Sequence, residues 1–257
     1  MNKALLNIRV RKLHLWFGIV IGAQLGLWLI SGLFMTLFPI EQVRGDHLKA
    51  SSELVSISSQ TDLLPLKTIL SGYDDTVNGM RLKVVDGQAS WIISTNNEKD
   101  LLVDARTGEA LSPLSEDIAR RIANGIYIGK GEMVSAELVD MPPREYGRPG
   151  PVWRVDYSKP QAATLYVDAT TGDVKAVRTG LWRTFDFMWG LHIMDWSNRE
   201  NFNSWWIKMT ASLAVLFFIS GLILVFLKTG LIFRRRQRSE PKAEQRAGIS
   251  NLDKAKK

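Results

Sequence analysis

Two stretches of this chain run without a formal charge for long enough to cross a lipid bilayer, and they constrain the fold more than any motif does. The first, "LWFGIVIGAQLGLWLISGLFMTLF", extends from Leu15 to Phe38, and the second from Met209 to Leu227. As a helix rising about 1.5 Å per residue, the first outspans a hydrocarbon core of about 30 Å. It also exceeds the roughly 7 to 15 apolar residues of a signal peptide, and no small-x-small cleavage pattern follows it. The expectation is a retained anchor and a second span, with everything between them held on one side of a membrane.

The placement of charge orients that arrangement. The formal net charge is +7. Residues 1–14 contribute +4, residues 228–257 +7 and residues 40–180 −4, while 181–227 balance. "RVRK" and "RRRQR" therefore flank the apolar runs on the sides away from the central region, which is the positive-inside pattern. Both termini are expected in the cytoplasm, with residues 40–180 in the periplasm of a bacterial inner membrane. No basic stripe in the central region supports a nucleic-acid partner. The sequence has no cysteine, which excludes disulfides, thiolate metal sites and a cysteine nucleophile.

Between the spans a short motif recurs: "LLVDARTGEA" at 101–110 and "LYVDATTGDV" at 165–174. Each copy closes a similar series. "LLPLKTIL" as a helix, then "MRLKVV", "ASWIIST" and "DLLVDA" as strands, are matched by "SEDIARRIANGIYI", "VSAELVD", "PVWRVDY" and "ATLYVDA". Ser115 before Glu116 and Asp117, with Ile118, Ile122 and Ile126 at helical spacing, marks a helix start. The expected fold is α+β: two α-β-β-β units with antiparallel strands between two transmembrane helices. Val-Asp-Ala ends an alternating strand and x-Thr-Gly makes a turn, so Asp104, Thr107, Gly108, Asp168, Thr171 and Gly172 read as turn-formers rather than a carboxylate pair. Trp91 and Trp153, in the middle strands, read as core anchors.

The tandem "LLVDARTGEAL" and "TLYVDATTGDV" segments, the opening "RKLHLWFGIVIGAQLGLWLISGLFMTLFPIE" and the closing "GLHIMDW" before an apolar span together resemble the PepSY-associated transmembrane proteins. The likeness covers nearly the whole chain apart from the basic tail. It implies small extracytoplasmic PepSY modules, a domain type also found in propeptides of secreted metalloproteases, with inhibitory or chaperoning roles expected. Larger relatives occur as iron-regulated inner-membrane proteins, some of them haem-containing ferric-siderophore reductases with more spans and more histidines than this chain has. The organisation expected is a cytoplasmic N-terminus (1–14), a first span (15–38), two PepSY-like units (40–112 and 113–180), an interfacial aromatic helix and loop (181–204), a second span (205–228) and a basic cytoplasmic tail (229–257).

Few residues offer chemistry. Gly18, Gly22 and Gly26 follow at intervals of four, a small-residue face that packs either on Met209 to Leu227 or on a second copy of the chain, giving a homodimer. Trp182, Phe185, Trp189, His192 and Trp196 fall on one stripe of a helix suited to the membrane interface. His192 has two readings: a polar interruption bonded to a carbonyl, or an axial ligand of haem b shielded by the aromatic wall. The second ligand would be His47, a methionine such as Met188 or Met194, or, for an inner-face site, His14 paired across a dimer. His14 lies at the inner end of the first span and His192 is expected beyond the outer end of the second, about 30 Å away. There is no phosphate-binding loop, His-Glu-x-x-His or Gly-x-Ser-x-Gly elbow, and the loop "MPPREYGRPGPVW" is either a partner-binding segment or a connector. The reading that follows is a non-catalytic module, embedded in the lipid bilayer, that binds a membrane or periplasmic protein or peptide partner. The alternative is a haem-binding electron-transfer or ferric-siderophore reductase component.

Overall fold

The computed structural model describes residues 3–50, 62–72, 76–96, 100–222 and 225, with the backbone alone for residues 3–11, 13 and 14. The basic tail and the "RRRQR" run lie outside the described residues. The chain divides into two compact units, Met1–Ile30 with Leu191–Lys257, and Ser31–Gly190.

The described residues of both apolar runs are helical, the first run continuing from the first unit into the second. Helix α1, Lys3–Leu37, is continuous, so what the sequence set apart as an N-terminal segment is, from Lys3, the first turns of the same helix. It ends before Pro39, which has no N–H with which to continue it. Its Leu15–Leu37 portion and helix α6, Trp205–Leu222, are both long and apolar enough to cross a membrane. Leu15, Ile19, Val20, Leu29, Val215, Leu216 and Phe218 all face outward, where lipid rather than water satisfies them.

The second unit holds the remaining secondary structure up to Gly190. After helix α2 (Ile40–Arg44) and a 3-10 turn (Asp46–Leu48) come α3 (Leu66–Leu70) and strands β1 (Val77–Val85), β2 (Gln88–Thr95) and β3 (Asp100–Asp104). They are followed by α4 (Glu116–Ile126) and strands β4 (Met133–Val139), β5 (Val152–Tyr157), β6 (Thr164–Asp168) and β7 (Val174–Arg178). Helix α5, Gly180–Ile193, leads from this unit into the first. The strands form two antiparallel sheets, β1-β2-β3 and β4-β5-β6-β7. Ser115 caps α4 by accepting from the Ile118 N–H, and Glu116 and Asp117 in the first turn suit the positive end of the helix dipole.

The repeat is exact in register. Trp91 pairs with Val103 as Trp153 pairs with Val167, and Ser90 faces Asp104 as Val152 faces Asp168. One expectation needs correcting: the second repeat has a fourth strand, β7, where three were read. After the second turn, "VKAVR" pairs with β6. After the first, only Ala110 bridges back to Val103 before Ser112 and Pro113 end the pairing, because proline cannot donate to a ladder.

Each sheet turns its tryptophan-bearing face toward the helix that precedes it. Trp91, Ile93, Leu101 and Val103 pack with Ile69 of α3 and with Leu64. Trp153, Val155, Leu165 and Val167 pack with Ala119, Ile122 and Ala123 of α4. The reverse face of the first sheet, through Val85, Ile92 and Leu102, closes on that same cluster, so α4 lies between the two sheets. Arg121 of α4 reaches Asp86 in the β1-β2 turn at 2.8 Å. The reverse face of the second sheet, Val152, Tyr166 and Ala176, is covered by Tyr146 from the 140–151 loop.

Candidate functional site

The duplicated turns bond alike, atom for atom. Asp104 Oδ1 accepts from the N–H groups of Arg106 (2.7 Å) and Thr107 (3.0 Å). Asp168 Oδ1 accepts from those of Thr170 and Thr171, both at 2.9 Å. Gly108 and Gly172 have φ of +76° and +69°, the left-handed region open to glycine, and each N–H donates to the carbonyl of its aspartate at 2.9 Å. Thr107 and Thr171 accept through Oγ1 from the N–H two residues on. Both carboxylates are thus turned onto their own turn backbones.

The two turns differ in what covers them. Lys83 of β1 donates to the Thr171 carbonyl at 3.4 Å and pairs with the Asp173 carboxylate, which Lys175 also reaches at 2.6 Å. Burial alone would raise the Asp173 pKa, but the hydrogen bonds from Lys175 and Lys83 outweigh it and bring it down to about 2. A Cβ on Gly172 would meet Val85 at 3.0 Å, whereas one on Gly108 would meet only Leu64, at 3.3 Å. Trp153 donates through Nε1 to the Leu114 carbonyl at 2.9 Å. Trp91, its counterpart and only partly buried, keeps a buried Nε1 with no hydrogen-bond partner among the described residues, so only Trp153 is a fully bonded core anchor.

The loop "MPPREYGRPGPVW" ties the second sheet to α5. Glu145 accepts from Tyr166 (2.6 Å) and twice from Arg183 (2.9 and 3.0 Å), while its carbonyl accepts from Arg178. Arg144 pairs with Asp186. Burial works to raise the Glu145 pKa, yet the bonds from Arg183 and Tyr166 prevail and lower it; burial and the bond to Glu145 raise Tyr166. This ion-pair network was not legible in the sequence, because its members come from the loop, β6, β7 and α5.

His14 and His192 of one chain do not lie together. His192 lies near the end of α5, and its carbonyl accepts from Trp28 Nε1 at 2.7 Å, with the two rings 5.5 Å apart. Trp28 is within the apolar run Leu15–Leu37, so His192, expected beyond the outer end of the second span, lies alongside α1. The bond is physically apt, since the last carbonyls of a helix and an indole N–H inside an apolar span each need a partner. His14, fourteen residues before Trp28 on the same helix, is about 21 Å from that level. His14 and His192 of one chain therefore do not fit a bis-histidine haem site. His47 is exposed in the 3-10 turn of the other unit. Met194 follows α5 with φ +53°, and Asp195 then accepts from the N–H groups of Asn198, Glu200 and Asn201. That loop takes Trp196 off the aromatic stripe. Among the described residues no three His, Asp or Glu side chains are placed to hold a metal ion.

Of the two packings expected for the glycine stripe, a single chain bears only on the first, contact with α6. A Cβ on Gly18 would meet Phe217 of α6 at 3.1 Å, but one on Gly22 or Gly26 would meet nothing within 4 Å among the described residues. The buried side of α1 includes Ile21 and Ser31, with Leu25 and Trp28 partly buried between them. Steps of three and four keep one side of a helix, whereas repeated steps of four drift away from it.

The family described as the PepSY-associated TM region matches residues 11–246. No curated protein matches the chain, and no solved structure does.

Proposed function

The chain belongs to the PepSY-associated transmembrane family, and from that premise we propose that it is a non-catalytic inner-membrane protein that presents two PepSY-like units to a protein or peptide partner. Its two apolar helices and its family make it a membrane protein. The basic ends would lie in the cytoplasm and residues 40–180 in the periplasm, by the asymmetry of charge. One observation carries the reading: the side chains of the duplicated motif are engaged in the fold, with both aspartates accepting backbone N–H groups. What remains to act on another molecule is the surface of the module. The alternative, a haem held by His192 with His47 or a methionine, or by His14 across a dimer, rests on the family resemblance alone.

The test is photocrosslinking in native membranes. A photoreactive side chain is placed in turn at Thr107, Lys130 and Met141, all exposed. A discrete heavier adduct containing one other protein, seen from at least one position and absent without light, is the expected result. Adduct-free protein at all three positions would overturn the proposal.

A further inference from the structure

Repeat proteins bury each unit against its neighbour, so an end unit exposes a copy of the surface that is covered inside. Here that logic applies to the two turns. The Leu64 N–H donates to the Ala105 carbonyl (2.9 Å) just as the Leu114 N–H donates to the Ala169 carbonyl (2.7 Å), which fixes the correspondence of the turns' surroundings. In the second repeat Thr171 and Gly172 are buried, with Lys83 and Val85 of the first repeat lying over them. In the first repeat Thr107 and Glu109 are exposed. Glu109 stands where Asp173 stands, a carboxylate without the lysine that its counterpart has among the described residues. Beside it is an open pocket of about 490 Å³, lined by Asp62, Leu64, Gln88, Asp104, Arg106 and Thr107 among others. The unpartnered Trp91 N–H, whose counterpart is bonded, belongs to the same incompletely closed repeat.

We infer that the turn at Asp104–Glu109 is a docking site for an extended strand of a partner protein that carries a lysine followed two residues on by a β-branched apolar residue, seated as Lys83 and Val85 are seated on the second turn. The inference rests on the partner-binding reading and narrows it to one surface and one chemistry. Among the described residues the exposed carboxylates of Asp62 and Glu109, with Asp104 buried behind them, outnumber the cation Arg106, so the site favours an ammonium group. A second copy of this chain does not offer the required strand. Its Lys83 and Val85 are already seated on the second turn, Val139 occupies the place of Lys83 in the second repeat, and Lys175 is engaged with Asp173.

The test uses the full chain purified in detergent and a fluorescent synthetic peptide copying residues 79–87, "GMRLKVVDG", read by anisotropy. Saturable binding is expected. Glu109→Gln in the protein and Lys83→Gln in the peptide should each weaken it about tenfold, as loss of a charge-assisted hydrogen bond does, and the two losses should not add when combined. Glu109 is exposed, so the variant should melt with the parent. Absence of saturation up to millimolar peptide, equal binding by Glu109→Gln, or additive losses would each overturn the inference. Crosslinked adducts from Met141 or Lys130 but not from Thr107 would also overturn it while leaving the partner-binding reading intact; peptide binding without any adduct in membranes would do the reverse.

Discussion

At the scale of single residues the repeat acts as its own control. Trp153 and Trp91 hold the same register position, but only Trp153 has a bonded indole N–H. Trp153→Phe should cost about 1–3 kcal/mol by leaving the Leu114 carbonyl short of a donor, whereas Trp91→Phe, which removes an unpaired buried donor, should be neutral or slightly stabilising. Denaturant midpoints of the two variants check this, and equal losses would contradict it. Asp173 makes a pH-dependent contribution. Its folded pKa of about 2 lies below the usual carboxylate value, so its stabilisation is present above about pH 4 and fades as pH falls toward 2. Asp173→Asn should therefore lose about 2 kcal/mol at pH 7, and the gap from the parent should close between about pH 4 and 2. A gap independent of pH would show that the seam draws nothing from this charge. The turn roles of Asp104 and Asp168 were legible from Val-Asp-Ala-x-Thr-Gly because the bonds are local; the difference between Trp91 and Trp153 was not, since it lies in a distant carbonyl.

Among elements, the two spans were legible from charge-free length alone, and α4 from its cap and apolar spacing. Which side of α1 meets α6 was not, because every side of a membrane helix is apolar and the sequence pattern loses its contrast. Contact at Gly18 but not at Gly22 makes a direct test. Gly18→Leu must displace Phe217 and should cost about 1–3 kcal/mol. Gly22→Leu enters open space and should leave the melting of purified monomer unchanged. If Gly22→Leu proved the more damaging, the glycine stripe would face a second copy of the chain. Strand β7 shows the same difficulty in the sheets: "VKAVR" and "EALSP" follow equivalent turns, and whether a strand forms depends on the proline and on what lies alongside.

For the whole molecule, the prediction concerns orientation. Lys130 is exposed, so the outer probe is Lys130→Cys, and the inner one is Ser239→Cys in a chain with no native cysteine. An impermeant maleimide on intact spheroplasts should label Lys130→Cys alone, and the opposite pattern would invert the topology. Sequence by itself determined the two spans, the charge asymmetry across them, the repeat and the chemistry of its turns. These properties are set by composition over a window or by bonds between near neighbours. Tertiary structure alone decided that α4 lies between the sheets, that Lys83 closes the second turn while the first stays open, and that His192 meets Trp28. Each of these joins residues far apart in the chain, and the partner is chosen by which faces pack, which no local pattern encodes.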